Sequence, residues 1–248
     1  MTAGGLSRRE FVGVAAAAAG FARFGTAQTS GPYGNGTIRA GIRSRTLANV
    51  NSLTVHMLEA GYETPGRQAV LLLHGFPELA YSWRKVMLPL AAAGYHVIAP
   101  DQRGFGRTTG WDNSYDADPD PFRILNMVRD AMGLVHALGY RSVAMVAGHD
   151  AGAPVAAWAA LIRPDVFRSV TILSSPFEGP PAIPFDTANG ADAPRRAPTD
   201  DELDAELGKL KPPRKYYQNY QRTRGANDNM LHAPQGLHAF FRDWPDGR

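Results

Sequence analysis

Apolar residues along this chain follow two periods that alternate from about residue 53 to residue 175. Leu53-Thr54-Val55-His56-Met57-Leu58-Glu59 switches sides in the manner of a strand. Ala69-Val70-Leu71-Leu72-Leu73 and His96-Val97-Ile98-Ala99 are continuous apolar runs, suited to strands covered on both faces. Residues 83–93 between them carry helical spacing, ended by Gly94. The same spacing recurs over 122–138 through Phe122, Ile124, Leu125, Val128, Met132, Val135 and Leu138, with Gly139 as its stop. A strand over 142–146, a helix over 153–162 and a strand over 169–173 complete the series. Strands alternating with helices predict an α/β protein with a doubly wound, mostly parallel sheet. With 248 residues, 44% of them hydrophobic, the chain can bury one such core.

Beyond Ser175 the pattern breaks. Pro176, Pro180, Pro181, Pro184, Pro194 and Pro198 interrupt an Ala/Asp-rich stretch without strand periodicity. Helical character returns over 200–210, 216–220 and 234–241. The expected organisation is a core over 37–175 and an inserted helical segment over 176–248, with the last strands of the sheet missing before Arg248.

The N-terminus reads separately. Arg8-Arg9 precedes an apolar run from Phe11 to Ala22 that is too short to span a bilayer, and Gly25-Thr26-Ala27 has the small-x-small form of a cleavage site. Residues 1–27 are therefore expected to be a twin-arginine signal peptide, followed by a Gly/Pro-containing linker over 28–36. The competing reading is a frayed, Ala-rich helix of a cytoplasmic protein. The absence of cysteine suits a protein folded before export, and the expected location is periplasmic or secreted, without a stable membrane anchor once the signal is removed. Residues 1–27 hold three arginines and one glutamate, so their removal lowers the formal charge from +3 to +1. Such a balance offers no reason to expect nucleic acid as a partner.

The most informative segment is Gly148-His149-Asp150-Ala151-Gly152, which leads from an apolar strand into a small-residue helix. Glycines on either side suit a strained strand-to-helix turn that exposes its central side chain at the C-terminal edge of the sheet. A carboxylate there is a nucleophile already ionised at neutral pH. The same aspartate could instead only cap the helix that follows. His74-Gly75-Phe76-Pro77-Glu78 directly follows one buried strand, and Asp101-Gln102-Arg103-Gly104-Phe105-Gly106-Arg107 follows the next. Taken alone, either could be an ordinary structural loop.

In their order, His-Gly-x-Pro, Asp-x-Arg-Gly-x-Gly and Gly-x-Asp-x-Gly, each after a strand, resemble the epoxide hydrolase branch of the α/β-hydrolases over roughly residues 50–245. The resemblance implies that Asp150 opens an epoxide through an alkyl-ester intermediate, with the Phe76 and Ala151 N–H groups as its oxyanion hole. It implies a small apolar epoxide as substrate, with His74, Pro77, His149 and Tyr220 around it, and calls for no cofactor or metal. The segment after Ser175 corresponds to the family's helical lid, whose tyrosines hold the epoxide oxygen. Tyr217, in Lys215-Tyr216-Tyr217-Gln218-Asn219-Tyr220, takes that role. In the family a later aspartate and a histidine complete the triad. Of the seven histidines here, none follows a strand beyond the lid, and Glu178 is a weak stand-in for the acid.

Two other readings compete. Dehalogenases use the same carboxylate attack, but haloalkane enzymes usually place tryptophan after the nucleophile and haloacetate enzymes arginine, where this chain has Ala151. A truncated chain that binds apolar ligands without turnover is the third.

Overall fold

The computed structural model describes residues 37–177, 179, 198–236 and 239. Residues 1–36, which hold the expected signal and linker, lie outside that set, as do Glu178 and His238. The described residues form two compact units, one ending at Phe177 and one made of the residues after it.

The first unit is built on a six-stranded sheet in the order β1-β2-β4-β3-β5-β6. Its strands are β1 Ile42–Val50, β2 Leu53–Ala60, β3 Ala69–Leu73, β4 His96–Pro100, β5 Val143–His149 and β6 Val170–Leu173. β4, β3, β5 and β6 are parallel, while β1 and β2 join antiparallel at one side. Helices α1 Arg84–Ala92, α2 Ile124–Ala137 and α3 Gly152–Ile162 connect the parallel strands. Leu58, Val70, Leu72, Val97 and Ala99 pack with Trp83 and Met87 around α1. Leu53, Val55 and Leu73 face Met127, Ala131 and Leu134 of α2. Covering both faces is what the continuous apolar runs require.

β1 is a strand that periodicity does not announce. Arg43 and Arg45 interrupt its apolar positions, and a register shift between Leu47 and Val50 displaces the pattern. β2 also departs from a one-sided strand, since its polar residues His56 and Glu59 are as buried as its apolar ones. Both have partners: His56 bonds to Asp101, and Glu59 lies against Arg43 and His96. Burial opposes the charge of Glu59, yet His96 and Arg43 hold its carboxyl below the usual carboxylate value.

The second unit contains α4 Asp200–Gly208, α5 Tyr217–Gln221 and α6 Ala226–Leu231. α4 opens with a capping box, in which Thr199 accepts from the Glu202 N–H and Glu202 accepts from the Thr199 N–H. α6 is additional to the sequence expectation. The helix expected over 234–241 begins as a turn at Pro234, and most of its remainder lies outside the described residues. No helix among the described residues is long and apolar enough to cross a membrane.

Candidate active site

Parallel pairing sets the site. Leu73 of β3 sits beside Gly148 of β5, so the segments after both strands leave the sheet at the same level. Asp150 then turns the chain from β5 into α3 with φ +48°, a left-handed conformation that an ordinary side chain rarely adopts. Its N–H donates to Leu173 O at 3.1 Å, and its C=O accepts from Ala153 N at 3.0 Å. The carboxylate crosses to the neighbouring loop, where the Phe76 N–H donates to Oδ1 at 2.9 Å.

Three glycines make that approach possible. A Cβ on Gly148 would lie 2.1 Å from Gly152 O, and one on Gly152 would lie 2.4 Å from Leu73 O. On Gly75 it would lie 2.5 Å from the Asp150 Cβ. Side chains at these positions would force β3, β5 and α3 apart. Ala151 occupies the start of α3, where N–H groups have no acceptor within the helix and favour negative charge.

The Phe76 loop is clamped at both ends by the segment after β4. At its start, the His74 ring bonds to Gly75 O at 2.8 Å through Nδ1 and accepts the Gln102 N–H at 3.0 Å through Nε2. The Gln102 amide also donates to His74 O at 2.6 Å. Since Nε2 accepts and Nδ1 donates, the ring is neutral, and burial lowers its proton affinity. At the other end, Ala80 N–H donates to Asp101 Oδ1 at 2.9 Å, while Asp101 Oδ2 receives Arg107 N–H at 3.0 Å. Burial disfavours the Asp101 carboxylate, but the hydrogen bond from His56 and its neighbours outweigh that and hold the carboxyl below its usual value.

A family model described as the alpha/beta hydrolase fold matches residues 68–228. The chain belongs to the α/β-hydrolase family. It is 42% identical over 140 residues to an epoxide hydrolase of Caballeronia sordidicola, covering 56% of this chain and 39% of that protein. Epoxide hydrolase B of Mycobacterium tuberculosis is 40% identical over 174 residues, covering 70% of this chain and 45% of that one. Among solved structures, an epoxide hydrolase from an endophytic Streptomyces matches with a TM-score of 0.60 and 34% identity, over 82% of this chain and 53% of that one. The chain thus spans about two fifths of the length of the curated relatives it matches.

Within this α/β-hydrolase sheet, Asp150 and the Phe76 amide meet, and Ala151 stands beside them in the elbow. Pro77 is exposed on the loop after β3. His149 is half-buried, with Nδ1 3.0 Å from Glu78 Oε2. The expectation that His74 contacts substrate is corrected: its ring is fully buried and both nitrogens are committed to backbone groups, so it shapes the loop instead. Tyr217 and Tyr220 lie in the second unit on α5, Tyr217 exposed with its hydroxyl accepting from the Gln218 amide at 3.0 Å.

The motif reading missed three contributors. Glu78 reaches back to Gly75 N at 3.4 Å as well as to His149. Gln102 and Asp101 hold the Phe76 loop from β4. Their presence directly after a buried strand was the available signal, but only strand order shows which loop they face. A cavity of about 20 Å³ lies beside Arg103 and Asp130, away from Asp150, and is the size of a single water.

Proposed function

We propose that the protein is a hydrolase of the epoxide hydrolase type, acting on a small apolar epoxide through Asp150. The observation that carries this reading is the Phe76 N–H on Asp150 Oδ1 at a left-handed elbow. With Oδ1 so held, Oδ2 is the attacking oxygen. It bonds to a ring carbon, the carbon–oxygen bond of the epoxide breaks, and the released oxygen takes a proton from the lid donor, a role assigned to Tyr217. Oδ1 is then the ester carbonyl oxygen. When water attacks that ester, the developing oxyanion forms on Oδ1, already against Phe76 and next to the start of α3, where the Ala151 N–H completes the hole.

Similarity to the named epoxide hydrolases supports this substrate class. Hydrolysis of the ester also needs a base to activate water, a role that the resemblance to epoxide hydrolases gives to a histidine. General-base help contributes about a hundredfold to ten-thousandfold, so where no base is positioned the adduct outlives the alkylation step. Incubated with styrene oxide, the 248-residue chain should gain one substrate mass on a peptide containing Asp150, and Asp150→Asn should gain none. Label retained by the Asn variant would rule out this nucleophile, and sustained diol production would rule out accumulation of the ester.

A further inference from the structure

A second chain of hydrogen bonds in the first unit has the connectivity of a nucleophilic serine. Ser44 Oγ on β1 lies 2.8 Å from His56 Nε2 on β2, and His56 Nδ1 lies 2.7 Å from Asp101 Oδ2 after β4. His56 and Asp101 are fully buried, whereas Ser44 is half-buried on the outermost strand of the sheet.

The direction of the bonds follows from the acceptor at its end. Asp101 already receives N–H groups from Ala80 and Arg107. An ionised carboxylate only accepts, so His56 Nδ1 carries the proton that faces it. In the neutral ring Nε2 is then bare, and the Ser44 hydroxyl is its donor. The Thr108 hydroxyl, which accepts the His56 N–H at 3.0 Å and donates to Asp101 O at 2.6 Å, fixes the imidazole-bearing backbone against the same loop. A serine hydroxyl bonded to an imidazole whose far nitrogen is held by a carboxylate is the arrangement that activates serine toward electrophiles. Four strand spacings separate β1 from β5, so this serine stands roughly 19 Å across the sheet from the elbow.

We propose that Ser44, with His56 as its base and Asp101 orienting the ring, is a second nucleophile that takes activated phosphorus and carboxylic esters. With a fluorophosphonate, the Ser44 oxygen bonds to phosphorus, the P–F bond breaks and fluoride leaves. The hydroxyl proton passes to His56 Nε2, and the Asp101 carboxylate on Nδ1 holds the imidazolium so formed. The product is a phosphonylated Ser44.

The test is intact-mass labelling of the full chain with a fluorophosphonate. The native protein should gain one probe mass, and Ser44→Ala, checked for folding by its circular dichroism melt, should gain none. The same wild-type chain unfolded in urea keeps Ser44 but loses the imidazole, and should label at least about a hundredfold more slowly. No adduct on the native chain, equal labelling of Ser44→Ala, or equal rates for folded and unfolded chain would each overturn the proposal.

Discussion

At the residue scale the site rests on the backbone conformation of one residue and the buried charge state of another. Asp150 is held at φ +48°, a conformation that costs about 1 kcal/mol or more and persists because the surrounding backbone determines it. His74 has a related constraint on its charge. In the unfolded chain it takes up a proton as pH falls through its ordinary value of 6.5, whereas burial lowers that value in the fold. The unfolded state therefore binds more protons below 6.5, and stability is lost as pH drops from that value toward the lowered one. Above it the contribution is constant. Asp101 adds a second loss further into acid, because its carboxyl is also below its ordinary value of 3.8. Thermal melts between about pH 5 and 8 should show the first loss, and His74→Gln, which keeps a donor and an acceptor, should flatten it. An unchanged pH profile in that variant would show that His74 does not carry the effect.

At the element scale the decisive feature is the close crossing of β3, β5 and α3. A Cβ at Gly148 would sit 2.1 Å from a backbone oxygen, a contact that no side-chain rotation relieves. Gly148→Ala is expected to cost about 2–3 kcal/mol, from overpacking against rigid backbone. For a protein of this size that lowers the melting temperature by roughly 4–12 °C. Gly139, at φ +85° with nothing near its Cβ direction, pays only the conformational cost and should lose less on the same change. Equal losses at both positions would remove the argument from close approach.

At the scale of the whole molecule, residues 1–27 remain to be placed by function. We propose that Arg8-Arg9 and the apolar run after it direct export by the twin-arginine route. Replacing both arginines by lysine should then hold the protein in the cytoplasm, read by fractionation, while the unchanged chain yields a mature form starting near Gln28. Equal periplasmic amounts from both would dismiss the leader. The core of the first unit is the six-stranded sheet with its three helices, whose parallel strands bring the Phe76 and Asp150 segments to one edge.

Local pattern was enough to locate β2, β3, β4 and the three long helices, because continuous apolar runs and helical spacing each have one inexpensive way to be buried. Gly-x-Asp-x-Gly likewise pointed to Asp150, since only a tight strand-to-helix turn needs glycine on both sides. Pairing across the sheet was not legible. β1 hid behind Arg43, Arg45 and its register shift, and nothing local gave His56 and Glu59 the partners that β1 and the β4 segment bring to them. His74 shows the same limit: its type and motif suggested a substrate contact, but the strand order β4-β3-β5 closes Gln102 over it and buries the ring. Sequence by itself determined which segments form β2 to β6 and the three helices between them, and which residue turns the elbow. Tertiary structure alone decided which polar side chains meet, because a hydrogen bond between residues dozens of positions apart depends on strand order and register, and neither is written in local periodicity.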